Sequence, residues 1–140
     1  MYKINQVLNH LDYNSTKINL ILADVNEKSF VENFFKENQI DIIFHAAAYK
    51  HVPIVEENPI SGIKNNVFST INLCKASIKY KVKKFILIST DKAVRPANVM
   101  GASKRFAEKI VLSFQKKVNN KKNDKSINQI TKYSMVRFGN

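Results

Sequence analysis

The run Phe85-Ile86-Leu87-Ile88 has no polar break, and it stops on Ser89, Thr90, Asp91 and Lys92. A strand with one wet face alternates apolar with polar residues, so an unbroken run reads as a strand covered on both faces, as in a parallel sheet. That strand is expected over Lys84–Thr90. Comparable apolar runs stand at 18–23, ending at Asp24, at 41–46 and at 133–138. Between them, apolar residues recur at helical spacing: Phe30, Val31, Phe34 and Phe35; then Ile60, Ile63, Val67, Ile71, Cys74 and Ile78 behind Pro59; then Phe106, Ala107, Ile110, Val111 and Phe114 after Gly101. Strand and helix in alternation define an α/β chain whose sheet is parallel and covered on both faces. The segment through Pro53 is expected as a loop, and 116–128, rich in Lys and Asn, as a solvated insertion.

At 140 residues, 44% hydrophobic and 24% charged, the chain is sized for one globular domain. No apolar stretch approaches the roughly 20 residues of a membrane-spanning helix, and no charged-then-apolar leader follows Met1. No membrane contact is expected from this segment. Cys74 is the single cysteine; among Leu73, Ala76 and Ile78 it reads as a core residue in a reducing, cytoplasmic setting. The net charge of +12 raises the question of nucleic acid. The densest basic run, Lys116, Lys117, Lys121, Lys122 and Lys125, lies among Asn119, Asn120, Asn123 and Asp124 with no aromatic side chain on which a base would stack. No nucleic-acid partner is expected, and no grouping of Cys, His and carboxylates has metal spacing.

In an open parallel sheet, ligands bind beyond the C-terminal ends of the strands. Asp24, the stretch from Ala46 to His51, Ser89 to Lys92, and Arg137 to Asn140 would share that rim. Hydroxyl, acidic and basic groups at the end of a buried strand are costly unless partnered or used. Ala46, Ala47 and Ala48 are small enough for a flat cofactor to approach the backbone, although tight packing explains them as well. His45, inside an apolar run, reads as a satisfied core residue.

Six segments together resemble a known family: H-A-A-A-Y-K-H-V-P at 45–53, E-E-N-P at 56–59, N-N-V at 65–67, I-S-T-D-K-A at 88–93, N-V-M-G-A-S-K-R at 98–105 and V-R-F-G-N at 136–140. The likeness is to the polysaccharide-biosynthesis branch of the extended short-chain dehydrogenase/reductases, the nucleotide-sugar 4,6-dehydratases. The resemblance implies an incomplete Rossmann-like parallel sheet with flanking helices, a nicotinamide cofactor, NAD(P) and preferably NAD, and a UDP-sugar substrate. It implies a lyase reaction: hydride leaves C4 of the hexose, water is eliminated across C5 and C6, and hydride returns to C6. The alternatives are an epimerase or reductase acting on similar nucleotide sugars, and a non-catalytic α/β module.

Carried over residue by residue, the resemblance puts the acid and base at Asp91 and Lys92 and the C4-oxygen contact at Thr90. A lysine base must lose its proton near neutral pH, so Lys92 is expected to be buried beside a cation such as Lys104. Met100 stands where most short-chain dehydrogenases carry tyrosine, four residues before Lys104. A thioether carries no proton, but a subgroup of the branch has methionine here, where it shapes the site or fills an apolar gap. Lys104 would hold the nicotinamide ribose. Asp24 and Val25 resemble the pair that contacts adenine, with a helix-cap role for Asp24 equally open. Asn65 and Asn66 resemble a position that ties strand ends together. Lys50, His51, Arg137 and Asn140 would face the substrate.

The glycine fingerprint of a dinucleotide cradle, G-x-G-x-x-G, does not occur: the glycines are Gly62, Gly101 and Gly139. By the resemblance, residues 1–140 are expected to be an interior, partial NAD-binding domain, without the N-terminal glycine-rich unit and the C-terminal substrate lobe. Long members of the branch carry membrane helices upstream, so tethering of a complete parent to the inner membrane stays open, as does its assembly into oligomers.

Overall fold

A computed structural model describes residues 17–120 and 130–139. In chain order they form α1 (Lys28–Glu37), β1 (Ile42–His45), α2 (Val52–Glu57), α3 (Pro59–Ile63), a π-helical turn (Lys64–Phe68), α4 (Ser69–Lys79), β2 (Lys84–Thr90), a 3₁₀ turn (Asp91–Ala93), α5 (Val99–Asn120) and β3 (Lys132–Phe138). The sheet has the order β1-β2-β3, and both pairings are parallel. His45 lies opposite Leu87, and Thr90 opposite Phe138, so the C-terminal ends of all three strands share one rim. Among the described residues, no helix is long and apolar enough to cross a membrane.

Residue types explain the breaks between elements. Pro59 opens α3 at a position where its missing N–H costs nothing. Lys81, with φ of 57°, turns the chain out of α4: its N–H bonds Ile78 and the N–H of Val82 bonds Ser77 at 2.9 Å, a Schellman-like end built without glycine. Asn98 starts α5 by accepting the Gly101 N–H at 2.7 Å, and the Glu56 carboxylate accepts the N–H of Val99.

Phe85 and Leu87 on β2, Tyr133 on β3, and Val31, Phe35, Leu73, Cys74, Ala107 and Val111 from the helices make one core. It covers the sheet face that also carries His45 and Ser89. The opposite face is open among the described residues: Phe44 is 68% exposed, Phe138 59% and Val136 43%. Coverage of both faces was expected from the unbroken apolar runs, and here one face alone has its cover. The expected strand at 18–23 does not form either, since a strand exists only through a ladder partner and no described strand lies beside this run; Leu22 is 86% exposed. The segment after Pro53 is helical rather than a loop, because a proline is compatible with a first helical turn. Helix α5 continues through Lys116 to Asn120, where Val118 stays buried while Lys116 and Lys117 face water, so 116–120 is helical; the rest of the expected insertion, 121–128, lies outside the described residues.

Candidate active site

Beyond the rim lies a cavity of about 410 Å³ lined by Ala46, Ala48, Thr90, Lys92, Met100 and Lys104, with Lys50, His51 and Ser89 also on its wall. A neighbouring cavity of about 850 Å³ continues along the segment from Ala46 to His51 towards Ile54 and Ser61 on the α2–α3 side. The rim therefore gathers the strand-end hydroxyl, one lysine from the turn after β2, and methionine and lysine from the first two turns of α5.

Each group is held for a local reason. Thr90 donates its hydroxyl to Asp91 Oδ1 at 2.9 Å, and the Lys92 N–H donates to the same oxygen at 2.8 Å. These two bonds, the Thr90 hydroxyl foremost, hold the Asp91 carboxyl below its ordinary range. Lys92 Nζ stands 3.6 Å from Asp91 Oδ1, and both side chains are about half exposed, at 40% and 55%. The buried lysine is Lys104 instead, 8% exposed, with Nζ donating to the Ile88 carbonyl at 3.1 Å. Burial lowers its pKa and the charge of Glu108 partly restores it. The expectation of a buried Lys92 is thus corrected: the 3₁₀ turn carries Lys92 to the mouth of the cavity, while helical spacing turns Lys104 inward.

Met100, Lys104 and Glu108 follow one another at intervals of four on the buried face of α5, at 4%, 8% and 0% exposure. Gly101 sets how near that face comes: a Cβ built there would lie 2.6 Å from the Lys92 carbonyl oxygen, which no side chain tolerates. The helix start therefore touches the 3₁₀ turn directly.

Asn66 ties two segments together, but it joins the stretch after β1 to a helix and does not link strand ends as expected. In the π-helical turn its Oδ1 accepts the Tyr49 N–H at 2.7 Å, while its Nδ2 donates to the Tyr49 carbonyl at 3.0 Å and to Ser103 Oγ at 2.9 Å. One side chain thus joins the segment after β1 to α5. Asn65 contributes its carbonyl to the Ser69 hydroxyl. His45 is a satisfied core residue, bonded to Thr70 Oγ1 at 3.0 Å; burial, then the Lys104 charge, lower its pKa to about 4. Cys74 is fully buried, and burial pushes its thiol upward.

Asp24 and Val25 lie away from this gathering. Asp24 Oδ1 accepts from the Asn26 N–H at 2.8 Å, forming a turn ahead of α1 rather than capping it, and Val25 packs against the core. Ala47 lines the larger cavity and not the smaller. Arg137 has its guanidinium engaged with Glu108, through Nε at 2.7 Å and NH2 at 2.8 Å. Gly139 sits beside Asp91, and Asn140 lies outside the described residues. Among the described residues no cluster could hold a metal ion.

Sequence reasoning missed Glu108. It is wholly buried, yet it accepts from Ser89 at 2.8 Å, Arg105 at 3.0 Å and both arms of Arg137. Burial alone would raise its carboxyl, but Arg137, Ser89 and Arg105 outweigh that and bring it to about 2. The signal was its place four residues after Lys104, on the same face.

Polar and basic side chains gathered on a cavity at the C-terminal rim of a Rossmann-like parallel sheet are what these features define. The family model described as "Polysaccharide biosynthesis protein" matches residues 1–140, and the chain belongs to that family. It is 40% identical over its whole length to the capsular polysaccharide biosynthesis protein CapD of Staphylococcus aureus, of which it spans 22%. Over 91% of its length it is 34% identical to the inverting UDP-N-acetylglucosamine 4,6-dehydratase of Campylobacter jejuni, spanning 35% of that protein. Among solved structures, Pen from Bacillus thuringiensis superposes with a TM-score of 0.78 at 33% identity, covering 99% of this chain and 40% of that one. UDP-glucose 4-epimerase from Thermus thermophilus, solved as a complex with NAD, matches with a TM-score of 0.65 at 25% identity over 68% of this chain and 36% of the other.

Proposed function

We propose that this chain forms part of an NAD-dependent nucleotide-sugar 4,6-dehydratase of surface polysaccharide synthesis, acting on a UDP-N-acetylhexosamine. The observation that carries the reading is the meeting of Thr90, Lys92, Met100 and Lys104 on one cavity, with Asp91 bonded to Thr90 at its edge. The naming of a relative as a UDP-N-acetylglucosamine 4,6-dehydratase supports the substrate class, and the NAD complex of a structural neighbour supports the cofactor.

The residues present suit a nicotinamide. Ala46 and Ala48 line both cavities, so a flat ring meets short side chains and accessible backbone there. Lys104, whose ammonium already donates to a carbonyl, has protons to give a ribose hydroxyl. When bound, the nicotinamide supplies reversible hydride exchange with the sugar carbons. The adenine contacts of Asp24 and Val25 and the phosphate or sugar contacts of Lys50 and His51 complete the proposed assignments. Arg137 serves the site through Glu108 rather than by touching substrate.

The chain's own residues carry the elimination. With a carbonyl at C4, the C5–H is acidified; once the Lys92 ammonium, 3.6 Å from Asp91, has passed its proton to that carboxylate, the amine takes the C5 proton while Asp91 gives its own to the departing C6 hydroxyl, and water leaves. Asp91 begins ionised because Thr90 and the Lys92 N–H hold it so. When Thr90 turns its hydroxyl to the C4 oxygen of the sugar, Asp91 loses its strongest stabilising bond and its proton affinity rises. Substrate binding thereby prepares the acid. Met100 excludes water from the cavity and takes no proton.

The test is to express the chain together with the coding sequence flanking it, supply UDP-N-acetylglucosamine and NAD, and follow the product by mass spectrometry. Loss of one water with formation of a 4-keto sugar is expected. A C4 epimer of unchanged mass would replace this reading with that of an epimerase.

A further inference from the structure

Glu108 uses its whole carboxylate. Ser89 Oγ and Arg137 Nε bond Oε1 at 2.8 and 2.7 Å; Arg105 NH1 and Arg137 NH2 bond Oε2 at 3.0 and 2.8 Å. Three elements thus meet on one side chain at 0% exposure: β2 through Ser89, β3 through Arg137, and α5 itself. Ser89 and Arg137 are direct partners in the sheet register, so Glu108 grips one rung of the ladder. That rung lies one residue before Thr90. One turn back on α5, Lys104 grips the preceding residue of β2 through the Ile88 carbonyl at 3.1 Å.

Two successive anchors from one helix face to two successive residues of β2 leave the strand end little freedom to slide or twist against α5. We propose that Glu108 is a positioning residue: through Ser89 and Arg137 it fixes the strand end bearing Thr90, Asp91 and Lys92 against Lys104, and its charge keeps the Lys104 ammonium in place. This rests on the dehydratase reading of the cavity.

Burying a carboxylate is costly even when two partly exposed guanidinium groups reach it, and an apolar side chain would pack this position without that cost. Its presence here is explained by geometry, since a carboxylate alone receives Ser89 and the fork of Arg137 together. The charge also reaches the cavity. The ionisable groups around the Lys104 ammonium are Glu108 on its own helix, His45 on β1, and Lys92, Lys50 and His51 on the wall of the same cavity. Of these, Glu108 is the carboxylate that opposes the effect of burial.

The experiment uses the chain with its flanking coding sequence and compares wild type, Glu108→Gln and Ser89→Ala. Glu108→Gln removes the charge at nearly constant size; Ser89→Ala removes only the bond to β2 and leaves the ion pairs, so it is the variant to rely on if the first does not fold. Expected is a fall in kcat of about 10²-fold for Glu108→Gln and about 10-fold for Ser89→Ala, with KM within about threefold of wild type, as for a misplaced reacting group. Independently of turnover, the rate of Lys104 acylation by acetic anhydride is followed against pH by peptide mass spectrometry. In Glu108→Gln that profile shifts to lower pH; in Ser89→Ala it does not. Unchanged kcat in Ser89→Ala, or a Lys104 profile indifferent to the loss of Glu108, would overturn the proposal. Absence of dehydratase activity in the wild type, together with the shifted Lys104 profile in Glu108→Gln, would sink the dehydratase reading while sparing the link between Glu108 and Lys104.

Discussion

Among the described residues, acidification should first destabilise this protein through His45, before its carboxylates begin to matter. His45 is 3% exposed and bonded through Nε2 to Thr70 Oγ1. The Thr70 hydroxyl has one proton, given to the Asn66 carbonyl at 2.9 Å, so it accepts from His45; the imidazole is the neutral tautomer with its proton on Nε2. Burial, reinforced by the Lys104 charge, depresses the folded-state pKa to about 4, against 6.5 when unfolded. The unfolded chain therefore binds more protons through this window, and stability falls as pH drops from about 6.5 to about 4, with no further loss from this group below that. A gap of about 2.5 units at 1.36 kcal/mol each sets an upper bound of about 3 kcal/mol. Urea unfolding of wild type and His45→Gln at steps between about pH 7.5 and 4 isolates the contribution, because Asp91 and Glu108, whose carboxyls are lowered and whose stabilisation is lost as pH falls from their ordinary values through their folded ones, are common to both. The wild type should lose stability faster than the variant across this window. Parallel curves would refute the buried, neutral histidine.

Other substitutions probe the scaffold of the site. Asn66→Ala removes three hydrogen bonds and leaves the Tyr49 N–H and carbonyl without their partner; a loss of about 2–4 kcal/mol is expected in chemical denaturation. Gly101→Ala drives a methyl into the Lys92 carbonyl and should cost about 1–3 kcal/mol although alanine is the better helix former, a reversal read directly from the melting temperature. Met100→Tyr should fold with a change below about 1.5 kcal/mol if the larger ring enters the cavity that Met100 lines, again scored by melting temperature.

Much of the architecture was legible from side-chain type. The strand Lys84–Thr90 was read to the residue because β2 is central, with Phe85, Leu87 and Ser89 buried and Ile86 and Ile88 half-buried on its other face. Helices α3 and α4 followed from Pro59 and the spacing of Ile63, Val67 and Cys74, though periodicity says nothing of the π-helical turn at Asn66. The run at 18–23 failed as a strand because apolar character alone supplies no ladder. In the site, Thr90, Lys92, Met100 and Lys104 were legible as a group, since a strand end and the next helix start must lie together in a parallel sheet. Which lysine is buried was not, because that depends on how the 3₁₀ turn and α5 direct their side chains. Glu108 was hidden for a related reason: a glutamate within a helix reads as solvated until its arginine and serine partners arrive from other strands.

Solvent deuterium at C5 gives the most direct test of the central claim. If Lys92 removes the C5 proton, its ammonium exchanges with water, and the 4-keto product formed in heavy water should carry deuterium at that carbon. In Lys92→Ala and in Asp91→Asn, product should form at least about 10²-fold more slowly, with folding unchanged by circular dichroism. A wild-type product with ordinary hydrogen retained at C5, or a Lys92→Ala protein that turns over at the wild-type rate, would contradict the account.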